Sequence, residues 1–480
     1  MNSLASSIRT LIPARLDRLP WSGFHTMIVV ALGVTWILDG LEVTLMGAFS
    51  GVLQEPATLH FSSAEIGFIA SCYLAGAVTG ALFFGYLTDR YGRRLMFFVT
   101  LAVYLTGALL TAFAWDLWSF VLFRAITGAG IGGEYAAINS AIDELIPARL
   151  RGRIDLYING SYWVGAALGA LSTLLLLDPK IFAVDIGWRV GFFIGAVLGL
   201  FILFVRRHVP ESPRWLVTHG QSARAETMIE EIEQRVAASG KPLPPVDTND
   251  TIALHPRAHF GFGVVIRTMF GLYRTRSLYG LALMIAQAFL YNAIFFTYTL
   301  VLTQFYAVPA SDTGLYLLPF AVGNFLGVLV LGHFFDTVGR RQMIAATYLA
   351  SAALLVLTGY LFAQGELSAA GQTLLWTAIF FFASPAASAA YLTVSEIFPL
   401  ETRALAIAFF YSVGTGVGGI AAPWLFGTLI GTGSRMNVFY GYLFAAALMI
   451  AAAIIALVYG IAAERQSLEK VARPLSALQE

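Results

Sequence analysis

Twelve separate stretches of this chain are apolar for about the length a helix needs to cross a bilayer. They run Thr26–Phe49, Ala64–Tyr86, Arg94–Ala114, Ser119–Ile142, Asp155–Leu177, Ile186–Val205, Ser277–Thr303, Thr313–Phe335, Gln342–Ala363, Ala370–Val394, Ala404–Ile430 and Asn437–Gly460. Crossing roughly 30 Å of hydrocarbon takes about 20 helical residues, and there every backbone N–H and C=O must bond within the chain, so such runs span as helices. Hydrophobic residues make up 58% of the 480 and charged residues 12%, against about 25% charged in a soluble domain. The expectation is an all-α membrane protein with twelve transmembrane helices and the lipid bilayer as its solvent. The formal net charge is +1 and no basic stripe is present, so no nucleic-acid partner is expected.

The chain is also written twice. Gly85-Tyr-Leu-Thr-Asp89-Arg90-Tyr-Gly92-Arg93-Arg94 recurs 247 residues later as Gly332-His-Phe-Phe-Asp336-Thr-Val-Gly339-Arg340-Arg341, position 85 matching 332. A second pair, Glu144-Leu-Ile-Pro147-Ala-Arg-Leu-Arg151 and Glu396-Ile-Phe-Pro399-Leu-Glu-Thr-Arg403, is separated by 252 residues, position 144 matching 396. Internal symmetry on this scale predicts two pseudo-symmetric six-helix bundles that alternate access to a site between them. The expected division is a first bundle over 1–206, a linker over 207–275, and a second bundle with a tail over 276–480. In the linker, Ala223–Val236 places Met228, Ile229, Ile232 and Val236 at helical spacing, which predicts a short amphipathic helix. The following Lys241-Pro-Leu-Pro-Pro-Val predicts an extended connection, since proline lacks the N–H a helix needs.

Orientation follows from Lys and Arg, which loops on the cytoplasmic side retain. Arg90, Arg93, Arg94, Arg149, Arg151, Arg153, Arg206, Arg207, Arg340, Arg341 and Arg403 all fall on the face that carries both termini. The opposite loops hold mainly Glu55, Asp116, Asp178, Asp185, Asp312 and Glu366, with Lys180 and Arg435 as exceptions. Both termini are therefore expected to be cytoplasmic, in a plasma membrane such as a bacterial inner membrane. The first 25 residues carry Arg9, Arg15 and Arg18 without an apolar core and cleavage site, so no removable signal is expected. Cys72 is the only cysteine, which rules out an intramolecular disulfide or thiolate cluster.

These motifs resemble the major facilitator superfamily, and the resemblance covers essentially the whole chain. Arg124 with Gly128, Gly130 and Gly132, then Glu144 to Gly152, Pro210-Glu-Ser-Pro-Arg-Trp-Leu216 and Ser395-Glu-Ile-Phe-Pro399 look like its sugar-porter branch, near the proton symporters of aromatic acids and nicotinate and the organic-ion transporters. The resemblance implies a gating network on the cytoplasmic side. Its members would be Asp89, Arg93, Arg94, Asp336, Arg340 and Arg341, with candidate pairs Glu144 with Arg151, Glu396 with Arg403, and Glu211 with Arg214.

Charges within the spans are costly, at least about 2.5–3.5 kcal/mol at the bilayer centre, and so point to function. The first span has Asp39 and Glu42; the fourth has Arg124 and Glu134. Glu42 and Arg124 lie roughly 8–10 Å from the outer ends of their spans at 1.5 Å per residue, which places them at matching heights. A carboxylate that loses its proton on meeting arginine and regains it on parting would couple protons to the conformational cycle. This resembles proton-linked sugar porters, while Asp39-Gly40-Leu41-Glu42 looks like the Asp-Gly-x-Asp pattern of aromatic-acid symporters. Glu42 is the expected proton carrier and Asp39 a second titrating or substrate-linked group; a fixed structural pair is the alternative. Glu134 joins either a gate or the proton path.

The expected substrate-binding residues are the polar and aromatic groups near mid-span: Asn159, Tyr162 and Trp163 in the fifth span, Gln287, Tyr291, Asn292 and Tyr298 in the seventh, and Tyr391 in the tenth. Amides orient a solute and aromatic faces supply flat apolar contact. Sugar porters carry Gln-Gln-x-x-x-x-Asn and Pro-x-Pro-Trp in these spans; here Ala286 precedes Gln287, and Ser388, Ala390 and Tyr391 stand in the second pattern's place. That favours a small aromatic or carboxylated metabolite, with a sugar porter or uniporter as the alternative and a transporter-like receptor as a third. No Walker lysine, metal-ligand cluster or nucleophile constellation appears. The expectation is a monomeric, proton-coupled secondary transporter of a small molecule, without cofactor, metal or enzymatic activity.

Overall fold

The computed structural model describes residues 8–207, 209–248, 251–254, 262–295, 297–309 and 314–477. Asp312, counted above among the charges of the opposite loops, and the first residue of the expected span Thr313–Phe335 lie outside them. Among the described residues, ten helices are long and apolar enough to cross a membrane. In chain order the helices that matter for the site are α1 (Gly23–Val52), α2 (Ser63–Tyr91), α3 (Arg93–Ala112), α4 (Leu117–Leu145), α5 (Arg151–Gly160), α6 (Tyr162–Leu176) and α7 (Val184–Arg206). The second half continues with α8 (Ser222–Ala237), α9 (Arg274–Phe295), α10 (Tyr298–Tyr306), α11 (Leu317–Leu331), α12 (Arg340–Gln364), α13 (Ala369–Ile397), α14 (Arg403–Val413), α15 (Ile420–Gly431) and α16 (Arg435–Tyr459).

Two expected spans fall outside the ten. Arg124, Glu134, Asp143 and Glu144 make α4 too polar for an apolar span, yet it packs along α2 and α3. The fifth is divided at Ser161, whose hydroxyl donates to the carbonyl oxygens of Ile158 (2.6 Å) and Gly33 on α1 (3.0 Å), leaving α5 and α6 individually short. The eleventh is likewise interrupted: Gly414–Gly419 widens into a π turn between α14 and α15. Four glycines there carry no side chains to hold the α pitch, and the turn lets the backbone of α9 approach at Met284 and Ile285.

Close approach also fixes the α2–α4 seam. Gly76 and Gly80 lie against the Ala125 and Ala129 backbone, and Gly128 and Gly132 answer from α4 against Tyr73 and Ala77. The same contact recurs in the second half, where Gly323 and Gly327 on α11 face Thr377 and Phe381 on α13. Gly76 to Gly323 and Gly80 to Gly327 are each 247 residues apart, and Ala125 to Thr377 and Ala129 to Phe381 are each 252 apart. The duplication thus extends from loop motifs to packing contacts.

Outside the helices the described chain departs from all-α at one place: Ile8–Thr10 pairs antiparallel with Ile252–Leu254. The proline-rich stretch lies in extended form beside the N-terminal segment, where the Pro244 carbonyl oxygen accepts from Arg18 and Lys241 donates to the Trp21 carbonyl oxygen (2.7 Å). Helix α8 matches the amphipathic expectation but buries Ala225 with Ile229, Ile232 and Val236, while Met228 is only half-buried. Its Glu233 holds Arg15 (2.6 Å) and Arg18 (2.5 Å) of the N-terminal segment. On the outer surface, Leu200, Phe201 and Phe204 are more than half exposed, and Trp115, Trp118 and Trp424 are 71%, 68% and 74% exposed. Lipid covers such apolar surface, and tryptophans favour its interface.

A Cβ at Gly132 collides with the Ala77 carbonyl, which is backbone and cannot rotate away. Gly132→Val is expected to lower stability by about 1–3 kcal/mol or more, read as a lower melting temperature of the detergent-purified protein, whereas Gly195→Val, with open space around it, leaves it unchanged.

Candidate functional site

One group of buried charges lies between α1, α4 and α7. Glu42 and Arg124 form an ion pair, each side chain 2% exposed. Arg124 also sits over the rings of Tyr73 (4.6 Å to the centroid) and Phe192 (5.5 Å). The Tyr104 hydroxyl stands near the Glu42 carboxylate without forming a hydrogen bond to it, and the second Glu42 oxygen and the Arg124 Nε have no hydrogen-bond partner. Three residues along α1, Asp39 accepts a hydrogen bond from the Tyr135 hydroxyl (2.5 Å), and its other oxygen is unpartnered. Glu134 takes a different partner: Arg206, at the end of α7, reaches into the interior to bond Glu134, Thr35 and the Phe97 carbonyl oxygen. Arg206, read from sequence as a loop charge that only orients the chain, is 1% exposed.

Aromatic side chains gather in two groups. Tyr391 meets Tyr135 (ring centroids 6.4 Å) and Tyr411 (6.4 Å), Tyr135 meets Tyr411 (5.0 Å), and Trp36 stacks on Tyr135 (4.6 Å). This group joins α1 and α4 to α13 and α14 around Asp39. In the second, Trp163 touches Tyr162 (5.3 Å), Tyr291 (6.1 Å), Phe295 (5.7 Å) and Phe380 (6.3 Å), and the Tyr291 hydroxyl donates to Asn324 (2.6 Å). Tyr298 packs beside it on Phe320 (5.6 Å) and Phe295 (6.5 Å).

The arginine-rich face carries the duplicated motifs. Arg93 bonds Glu144 (2.7 Å) and lies 3.4 Å from Asp89; Arg340 bonds Glu396 (3.0 Å) and Asp336 (2.9 Å). Asp89 accepts the N–H groups of Ala404 (3.2 Å) and Leu405 (2.9 Å), the first turn of α14. Asp336 does the same for Gly152 (3.1 Å) and Arg153 (2.9 Å), the first turn of α5. Each motif aspartate thus caps a helix of the other half, where unpaired N–H groups and the positive helix end favour an anion.

The profile of the Sugar (and other) transporter family matches residues 26–475. The chain belongs to this family of major facilitator transporters. It is similar to the niacin transporter NiaP of Acinetobacter baylyi, at 27% identity over 85% of this chain and 88% of that protein. It is also similar to the inner membrane metabolite transport protein YdjE of Escherichia coli, at 25% identity over 96% and 98%. Among solved structures, the proton:xylose symporter XylE bound to 6-bromo-6-deoxy-D-glucose shares the fold, with a TM-score of 0.76 and 18% identity over 93% of this chain and 98% of that one. The protein is a multi-pass membrane transporter and not an enzyme.

Against this geometry several expected contacts change. Glu144 does not hold Arg151, nor Glu396 Arg403; the partners are exchanged between halves, Arg403 lying 3.6 Å from Glu144 and Arg151 3.7 Å from Glu396. Each arginine spends its Nε on a carbonyl oxygen nearby, Arg151 on Asp143 (3.1 Å) and Arg403 on Ser395 (2.7 Å), so its free end crosses the interface. Glu211 does not pair with Arg214 but accepts the N–H groups of Arg93 (3.0 Å) and Arg94 (3.2 Å) where α3 begins. Gly92, at φ +99°, makes that turn and leaves the carboxylate its room. Arg214 instead binds Asp17 (3.0 Å) and Glu469. The side chains of Arg94 and Arg341 are exposed, apart from the buried network.

Gln287 and Asn292, both expected to bind substrate, do not share one surface. Five residues turn a helix by about 500°, so the two amides point roughly 140° apart. Asn292 bonds its own helix at Ala288 (2.6 Å), and the Gln287 amide lies 3.9 Å from the Met284 sulfur. Asn159 turns to Asp155 (3.1 Å) and Asn139 (3.3 Å), one turn away from Trp163. Tyr135, Tyr411, Trp36, Phe380 and Asn324 were missed by reasoning from sequence. A tyrosine beside Glu134 in a glycine-rich segment was the available signal for the first.

Removing one partner of a buried ion pair costs about 3–5 kcal/mol because it strands the other. Glu42→Gln or Arg124→Gln alone is expected to destabilise the detergent-purified protein by that order, and the double variant by less than the sum, in a denaturation cycle.

Proposed function

We propose that this transporter imports a small organic solute together with protons, by alternating access between two six-helix bundles. In this reading α4 and the α5–α6 pair complete twelve spans, the bundles are 1–206 and 276–480 joined by 207–275, and the arginine-rich face is cytoplasmic with both termini. The observation that carries it is the buried Glu42–Arg124 pair, whose carboxylate has one oxygen without a partner and lies one helical turn from Asp39. A proton on Glu42 weakens its hold on arginine, and release of that proton restores it, so protonation biases the packing of α1 against α4. Asp39 links this pair to the tyrosines between the halves through Tyr135. Asp89 and Asp336 hold the cytoplasmic side shut by capping each other's half, and the exchanged pairs Glu144–Arg403 and Glu396–Arg151 add charge to the same closure.

For the substrate, a sugar has the broader support, since the family's description names sugars and XylE is a xylose symporter. A pyridine carboxylate or related aromatic acid is the second reading. It is favoured by the similarity to a niacin transporter and by the flat lining of Trp163, Tyr291, Tyr391, Tyr135 and Tyr411. Tyr162, Tyr298, Asn159, Gln287 and Asn292 stand around that lining.

In liposomes with an inward proton gradient, Glu42→Gln is expected to reduce solute uptake to the level reached without a gradient while exchange of solute persists. Concentrative uptake by that variant sinks the proton-carrier role. A panel of pentoses, hexoses and pyridine carboxylates decides the class by thermal shift, a true substrate at 100 times its Kd adding about 2.7 kcal/mol. Asp89→Ala is expected to raise labelling of cysteines placed in the cytoplasmic cavity of a Cys72-free protein; unchanged labelling removes Asp89 from the gate.

A further inference from the structure

The charges that close the arginine-rich face do not all cancel. Arg93, Arg151, Arg340 and Arg403 are each at most 2% exposed, and their carboxylate partners are Asp89, Glu144, Asp336, Glu396 and, shared with Arg214, Asp17. Four cations already meet five anions. Asp143, near the end of α4, and Asp155, on α5, are left over, and both are 0% exposed.

Ser395 stands beside Asp143, but its hydroxyl donates to the Leu392 carbonyl oxygen (2.8 Å), which leaves neither oxygen of Asp143 with a hydrogen bond; Asp155 has one, from the Asn159 amide at 3.1 Å, and its other oxygen has none. Asn159, 7% exposed and itself part of this pocket, also leaves its amide oxygen unpartnered. Charged and polar groups from α5, α12, α13 and α14 face the two acids. Around Asp143 stand Arg151 of α5, Ser395 and Glu396 of α13, and Arg403 of α14. Around Asp155 stand Asp143, Glu396, Asn159 and Arg340 of α12.

Each arginine in that set has partners elsewhere, although Arg403 keeps a buried Nη1 without a hydrogen bond. Arg151 serves Asp17, Glu396 and two carbonyl oxygens; Arg340 serves Asp336, Glu396 and the Phe335 carbonyl oxygen; Arg403 serves Glu144 and the Ser395 and Phe398 carbonyl oxygens. Two ionised carboxylates here would be buried beside each other and beside Glu396, with arginines nearby but none forming an ion pair with either. A proton on each removes the charge and supplies an O–H that can donate to the orphaned acceptors.

We propose that Asp143 and Asp155 each bind a proton when the cytoplasmic face closes and release it to cytoplasmic water when the face opens, a proton site separate from Glu42. This rests on the alternating-access reading above. The step is simple ionisation: the O–H bond breaks, the proton leaves to water, and the carboxylate stays on the chain, hydrated in the open cleft. The closed state then holds two more protons than the open one, so low pH favours closure and rising cytoplasmic pH favours opening, by up to about a hundredfold in the closed-to-open ratio per pH unit. A low proton activity in the cytoplasm would thus pull the transporter inward-open even before solute is released.

The test uses the full chain in lipid nanodiscs without solute, with Cys72→Ser and spin labels at Tyr91→Cys and Val338→Cys, exposed positions on opposite halves of this face. Interlabel distances are measured from about pH 6 to about pH 9. The wild-type background is expected to shift from short to long distances as pH rises. Asp143→Asn with Asp155→Asn, neutral at every pH, is expected to stay short throughout, and either single variant to keep a slope of at most about tenfold per unit. The double variant keeping the wild-type slope overturns the proposal, as does a wild type insensitive to pH while Asp89→Ala shows long distances. If Asp89→Ala also stays short at every pH, alternating access itself fails and the proposal falls with it.

Discussion

A charge removed from water must find its counter-charge within the protein, and in this chain the counter-charge often belongs to the other half. Arg403 answers Glu144, Arg151 answers Glu396, and Asp89 and Asp336 cap helices that begin in the opposite copy. Such contacts are strong only where water is excluded, so closure and pairing reinforce each other. In the alternating-access reading proposed above, opening the cleft would hydrate every member at once. That makes the layer a two-state element rather than a graded one, which is what alternation between two faces requires.

The interior pairs behave differently, because they lie within the first half. Glu42–Arg124 and Glu134–Arg206 tie α1, α4 and α7 to each other, not to the second half. Their influence on the interface passes through Asp39 and Tyr135, whose ring lies against Tyr411 and Tyr391. A chain of direct contacts therefore runs from the buried ion pair to the aromatic groups between the halves. Glycine seams hold the helices of the first half close: at Gly76, Gly80, Gly128 and Gly132 the backbones touch.

Much of the fold was legible in the chain. Apolar length marked the helices, since hydrocarbon thickness sets one scale for all of them, and ten runs meet it outright. The height match of Glu42 and Arg124 followed from counting residues along regular helices, and the structure joins them. The interruptions at Ser161 and Gly414–Gly419 were not legible, because they answer to a carbonyl of α1 and to the backbone of α9. Nor was the burial of Arg206, whose long side chain reaches back from a helix end.

By itself the sequence determined what repeats: two motif copies 247 residues apart, a second pair 252 apart, and a supply of acids and arginines in each. Spacing along the chain assigned Glu144 to Arg151 and Glu396 to Arg403, since residues near in sequence are the first candidates for contact. Only the tertiary structure decided that the partners are exchanged, that Glu211 serves the backbone of α3, and that no arginine forms an ion pair with Asp143 or Asp155. The physical reason is that a repeat specifies two like surfaces, whereas which charge meets which depends on how those surfaces are docked. The docking is set by helix packing summed over both halves, which no local pattern of residues contains.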